Sequence, residues 1–217
     1  MKLQNFNHSC NPYVSLVAQS SRVWREDNFI PQAILDQPIC LEVGCAHGVM
    51  LKRIAEKNPD INFLGNDYKY KEAYLSSERC SHLRNVFVVK SKVQNLVRKL
   101  PLNYLSSVIS FYPDPWPKRK QQKNRIWDVE FVKSLIPKLK NGAPIFLKTD
   151  QLDYFEQMKR SFEGVENFLV VLDGNYSPRM ALYDEAFKSF FEELFFKQQE
   201  HSYFLIALTQ KSLSMDL

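Results

Sequence analysis

The sequence predicts an α/β fold in which a parallel sheet of seven strands is covered on both faces by helices. Three observations predict it. From about residue 37, short apolar and β-branched runs alternate with segments of helical period, as expected of parallel strands joined by crossover helices. The residues able to do chemistry fall just after those strands, where ligands bind in open α/β sheets. A chain of 217 residues is long enough for one domain with a real core.

The elements follow in order. Residues 1–36 show weak periodicity and read as an N-terminal arm, irregular or partly helical; residues 37–217 read as a single domain. Ile39–Val43 is the first expected strand, and Val49–Lys57 the first helix. Ile61–Gly65 and Val86–Val89 are strands two and three, separated by helical spacing over Lys69–Leu83. A short helix at Val93–Leu100 leads to strand four, Val108–Phe111. Ile126–Leu139 reads as helix, Pro144–Leu147 as strand five, Leu152–Phe162 as helix, and Phe168–Leu172 as strand six. An apolar helix within Leu182–Lys197 precedes a last strand at Ser202–Thr209. Its phenylalanines, Phe187 to Phe196, suit a core better than a stacking platform.

Composition narrows the function. No run approaches the roughly 18 apolar residues of a membrane span, and no signal-peptide core opens the chain, so a cytoplasmic protein without membrane contact is expected. Cys10, Cys40, Cys45 and Cys80 show neither CxxC spacing nor a nearby His pair; free thiols and no metal are expected. A net charge of +5 does not by itself indicate nucleic acid. Clustering says more: Lys118, Arg119, Lys120, Lys123 and Arg125 lie within eight residues, with smaller groups at Lys69/Lys71 and Lys90/Lys92.

The first strand runs into Glu42-Val43-Gly44-Cys45-Ala46-His47-Gly48. Glycines there let backbone approach a ligand at a helix N-terminus, or simply make a tight strand–helix turn. Glu42 is placed to meet an amino or cationic group. Asp67, at the end of the second strand, is the usual hook for ribose hydroxyls. Together they describe a nucleoside-containing cofactor. The spacing E-x-G-x-x-x-G departs from the G-x-G-x-x-G of NAD sites and suits S-adenosylmethionine, which has no pyrophosphate to cradle. Cys45 and His47 need no chemical role.

The fourth strand ends in Tyr112-Pro113-Asp114-Pro115-Trp116-Pro117-Lys118. Prolines restrict this loop to extended or turn conformations and fix the directions of Asp114 and Trp116. One acid held beside positive charge suggests a base-contacting group flanked by phosphate-contacting groups. The bland alternatives are a turn-capping aspartate and a solvated charged face. Trp116 reads as a brace for the loop. Trp24 and Arg25, in the arm, suit either RNA contact or a cover for the cofactor.

From about Pro38 to Lys211 the chain resembles the bacterial tRNA (guanine-N7-)-methyltransferase family. The resemblance is most specific in Pro113–Lys118 and its basic continuation, where Asn124 and Gln121 replace a usual Arg and His. Thr149-Asp150 matches the family's T-D. Ser189-Phe190-Phe191-Glu192 matches its T-x-[FY]-E with Ser for Thr; Ala181–Asp184 is the alternative alignment. The resemblance implies a Rossmann-like class I methyltransferase fold, mostly parallel with the last strand antiparallel. It implies S-adenosylmethionine as cofactor, held by Glu42, Gly44, Gly48, Asp67, Lys92 and Asp114. Asp114 would be the catalytic centre. Lys118, Asp150 and Ser189–Glu192 would line the substrate, and Arg119, Lys120, Lys123 and Arg125 would contact tRNA phosphates. The implied target is N7 of a tRNA guanine, typically in the variable loop, with the enzyme a monomer or homodimer. One departure concerns the cofactor's adenine end: Lys92 stands where the family usually has an acid. Another RNA base as target, or a catalytically weak RNA-binding protein on the same fold, are the competing expectations.

Overall fold

The structure is a computed structural model and describes residues 11–28, 34, 37–175 and 202–210. Within them, one eight-stranded sheet has the order β1-β4-β3-β2-β5-β6-β8-β7. The strands are β1 Val23–Arg25, β2 Ile39–Val43, β3 Asn62–Asp67, β4 Val86–Lys90, β5 Ser107–Phe111, β6 Pro144–Thr149, β7 Phe168–Asn175 and β8 Tyr203–Thr209. All pairings are parallel except those of β8, which runs antiparallel to both β6 and β7. The helices are α1 Pro12–Gln19, α2 Val49–Lys57, α3 Tyr70–Arg79, α4 Val93–Lys99, α5 Val129–Leu135 and α6 Leu152–Glu163.

The sheet has one strand more than expected. Val23–Arg25 pairs in parallel register with Val88–Lys90 at the edge, so the arm enters the sheet. Asn11 caps α1 by accepting from the Tyr13 amide at 3.1 Å, and Val17 is buried against the sheet. The single helix expected over Ile126–Leu139 begins only at Val129, where the Asp128 side chain accepts from the Phe131 amide at 2.8 Å. It ends in a 3-10 turn at Ile136–Lys138, because Pro137 has no amide hydrogen to continue an α-helix. The helix expected within Leu182–Lys197, with its phenylalanines, lies outside the described residues.

Two cores sandwich the sheet. Alternate strand residues divide between them: Leu41, Val43, Ile145, Leu147, Leu205 and Ala207 face one, Cys40, Phe146, Phe204 and Ile206 the other. The first core takes α4, α5 and α6 through Leu96, Phe131, Val132, Tyr154, Met158 and Phe162; the second takes α1, α2 and α3 through Val17, Leu51, Ile54 and Ala73. Helices therefore cover both faces, and the site chemistry is left to the strand ends. No described helix is long and apolar enough to cross a membrane.

Candidate active site

Strand β2 pairs with β3 on one side and β5 on the other, so the chain changes direction across the sheet at that point. In open α/β sheets, loops leaving the carboxyl ends of two such strands diverge, and ligands bind at that switch point. The Ser110 hydroxyl donates to the Val43 carbonyl at 3.1 Å and ties the two strand ends together.

On the β2 side, the amides of Gly44 and Cys45 both donate to the Asn66 carbonyl at 2.9 Å, and the Gly48 amide donates to the Cys45 carbonyl at 2.8 Å. Gly44, Ala46 and Gly48 all have left-handed backbones, with φ of 78°, 46° and 71°. The two glycines do different work. A Cβ on Gly44 would meet nothing within 4 Å, which leaves this backbone open to a ligand. A Cβ on Gly48 would lie 2.5 Å from Ser76 Oγ and 2.9 Å from Ser76 Cα. Gly48, expected as a cofactor contact, is buried, and its lack of a side chain is explained by the packing of α2 on α3.

Asp67 is built into the same loop system. Its carboxylate accepts from the Ala46 amide at 3.2 Å and from the Lys69 amide at 2.9 Å. Burial pushes its carboxyl up, while the two amide hydrogen bonds oppose that. Glu42 is 5% exposed, and burial, reinforced by the nearby Asp67 charge, pushes its carboxyl up to about 8. Its Oε2 has no hydrogen-bond partner among the described residues. A buried acceptor without a partner, next to open backbone at Gly44, fits the ammonium-bearing end of an amino-acid cofactor.

Beyond β4, Asn66 donates its carboxamide hydrogens to the carbonyls of Val89 (3.2 Å) and Ser91 (3.0 Å) and lies 3.1 Å from Ser91 Oγ. This fixes the turn into α4. Lys92 stands at the start of that helix, exposed and without a side-chain capping bond.

The β5 loop faces this assembly. Tyr112 and Trp116 have φ of 51° and 45°, and each directly precedes a proline. Two left-handed residues thus turn this proline-rich loop, each costing roughly 1–3 kcal/mol. Neighbours hold the kinks: the Tyr112 amide donates to the Lys148 carbonyl at 2.7 Å, and the Tyr112 hydroxyl lies 2.9 Å from Ser202 Oγ. Asp114 projects from the loop, exposed, with Oδ2 3.9 Å from Lys69 Nζ. Burial alone would lower the Lys69 ammonium, yet Asp114 and the other nearby acids hold it above its usual value. Lys69 therefore joins two loops, through its amide to Asp67 and its side chain to Asp114.

Lys118 precedes a 3-10 turn at Arg119–Asn124, and Lys118, Arg119, Lys120 and Lys123 are exposed. Arg125 is a correction. It is 4% exposed, with Nε donating to the Pro115 carbonyl at 2.7 Å, Nη1 to Gln157 Oε1 at 2.9 Å, and Nη2 to Asp153. Its guanidinium also lies 4.7 Å from the centre of the Tyr154 ring. A group so enclosed is not available to an RNA phosphate.

Asp150 follows β6 and is half-buried, two residues after Lys148, whose ammonium lies 5.9 and 5.7 Å from the ring centres of Phe111 and Phe204. Ser189, Phe190, Phe191 and Glu192, and the alternative Ala181–Asp184, lie outside the described residues. No cluster of three or more metal-ligating side chains occurs among the described residues. Sequence reasoning missed Lys69 and Asn66 as site residues. Their signal was position: Asn66 stands one residue before, and Lys69 two residues after, the strand-end acid Asp67.

The reversal of strand order at β2, a glycine turn and two strand-end acids define a Rossmann-like fold of the class I methyltransferase kind. A family model described as "Putative methyltransferase" matches residues 36–205, and the chain belongs to this methyltransferase family. Among similar curated proteins, the tRNA (guanine-N(7)-)-methyltransferase of Photorhabdus laumondii is 33% identical over 66% of this chain. The protein of the same name from Yersinia pestis (strain Pestoides F) is 35% identical over 66% of it. In both cases the match spans 62% of the relative's length. Among solved structures, the antibiotic-resistance methyltransferase Kmr superposes with a TM-score of 0.61, covering 89% of this chain and 97% of its own, at 13% identity. That likeness shows the fold.

Proposed function

We propose that the protein transfers a methyl group from S-adenosylmethionine to N7 of a guanine in tRNA, the variable-loop guanosine being the specific target. The observation that carries this reading is the β5 loop. It holds Asp114 beside Lys69, whose amide donates to the strand-end acid Asp67, and exposed cations begin four residues further on at Lys118. The curated relatives are named tRNA (guanine-N(7)-)-methyltransferases, which supports N7 of a tRNA guanine as the target.

Glu42 would meet the methionine ammonium with its unpartnered oxygen, Asp67 the ribose hydroxyls, and Gly44 would let the backbone come close. When bound, S-adenosylmethionine supplies an electrophilic methyl group on a sulfonium sulfur. Guanine N7 has an exposed lone pair and no proton, so the chain's residues need not remove one. Their work is placement. Asp114 accepts hydrogen bonds from a guanine N–H edge and stabilises the positive charge that grows on the purine. Asp150 serves as a second acceptor or guides Asp114. Lys118, Arg119, Lys120 and Lys123 neutralise tRNA phosphates, with Ser189–Glu192 completing the substrate side. On this reading the enzyme works in the cytoplasm on free tRNA, as a monomer or homodimer.

The test is incubation with labelled S-adenosylmethionine and unmodified tRNA, then digestion to nucleosides. 7-Methylguanosine is the expected product. Its absence while tRNA still binds would instead point to an RNA-binding protein on a methyltransferase fold, the reading that Lys92 keeps in play. In Asp114→Ala, transfer falls by about 100-fold or more while tRNA affinity holds; near-normal turnover would remove Asp114 from the catalytic centre.

A further inference from the structure

We propose that Arg125 is a positioning residue: it clamps the loop that carries Asp114 onto α6, so the last cation of the basic run organises the catalytic loop and does not bind RNA. The inference rests on the catalytic role proposed for Asp114, and the clamp itself can be tested without that role.

Three observations carry it. Nε of Arg125 donates to the carbonyl of Pro115, the residue directly after Asp114. Nη1 and Nη2 reach Gln157 and Asp153, which lie on one face of α6 at a spacing of i, i+4. The guanidinium plane is also backed by the Tyr154 ring, whose hydroxyl oxygen accepts from the amides of Ile126 and Trp127 at 3.1 and 3.4 Å. One planar side chain thus spans from α6 to the backbone of the loop. The loop needs such a hold, because left-handed Tyr112 and Trp116 flank Pro113–Pro115 and disfavour this conformation. A lysine has no planar fork with which to reach all three acceptors.

The consequence for the reaction is specific. Methyl transfer to an unprotonated nitrogen depends on placement, so loosening Asp114 lowers turnover while leaving phosphate contacts alone. In Arg125→Ala, kcat falls by about 100-fold. KM for tRNA stays within about 3-fold, and the salt slope of tRNA binding matches the wild type. Arg125→Lys does not rescue. Asp153→Ala and Gln157→Ala, which leave the other clamp contacts in place, each show a smaller kcat loss with the same unchanged slope, so the proposal stays testable if Arg125→Ala folds poorly. Fluorine NMR of fluorotryptophan-labelled protein gives a readout independent of methyl transfer. The Trp116 resonance, assigned with Trp116→Phe, moves or broadens in Arg125→Ala and in Asp153→Ala, while that of Trp24 does not. An unmoved Trp116 resonance overturns the clamp, as does a salt slope reduced by about one with kcat retained. A moved resonance with unchanged kcat leaves the clamp standing and removes the catalytic role of the loop instead.

Discussion

Gly44 and Gly48 share a motif and a left-handed backbone, yet a methyl group added to each should do different damage. In Gly48→Ala the new Cβ would sit 2.5 Å from Ser76 Oγ and 2.9 Å from Ser76 Cα, on a backbone with φ of 71°. Left-handed strain contributes about 1–2 kcal/mol and overpacking about 1–3 kcal/mol, together roughly 3 kcal/mol. For a chain of this size that lowers Tm by about 6–12 °C. In Gly44→Ala the strain remains but nothing lies within 4 Å, so the loss is about 1 kcal/mol, or roughly 2–4 °C. Ligand response reverses the order. S-adenosylhomocysteine stabilises whatever variant still binds it, by mass action. Thermal melts with and without it should show the shift retained in Gly48→Ala and sharply reduced in Gly44→Ala. Adding Ser76→Ala to Gly48→Ala should recover part of the stability, since it removes the nearer contact and leaves the Cα in place. Equal losses in the two variants, or a full ligand shift in Gly44→Ala, would refute this division of roles.

Glu42 predicts an inverted pH dependence. Its carboxyl rises from an ordinary 4.5 to about 8 on folding, so between those values the folded chain holds a proton that the unfolded chain has released. Stability from this group is therefore fully present below about pH 4.5 and is lost as pH climbs through about 8. Glu42→Gln should flatten that decline, gaining a few kcal/mol over the wild type at high pH in urea titrations; parallel pH profiles would contradict it. Lys118→Ala should weaken tRNA binding and reduce its salt slope by about one, and an unchanged slope would exclude a phosphate contact.

Much of this architecture was legible because parallel strands buried on both faces leave apolar runs, and β2 and α2 fall where those runs and the glycine turn put them. β1 was not, because Val23–Arg25 is too short for a period and owes its conformation to the partner strand β4. Arg125 shows a second limit. In sequence it is one more cation in a basic run, and the acceptors that withdraw it from the surface, Asp153 and Gln157, lie about thirty residues downstream on another element. Gly48 shows a third. A glycine that lets a ligand approach and one that lets a helix approach look identical until the atoms on the far side are known. Asp67 ends β3 and Asp114 follows β5, positions that the apolar strand runs already mark in the sequence, though of the two only Asp114 is exposed.

The turn beside Lys92 separates shape from content. Asn66, on the neighbouring strand, dictates the path of the backbone through Val89 and Ser91, and Lys92 contributes no capping bond to it. The side chain at position 92 is thus an interchangeable fitting on a mount machined elsewhere. Divergence there alters which chemical edge the turn offers a visitor and leaves the mount as it was. The residue at position 92 can change without any rebuilding of the turn.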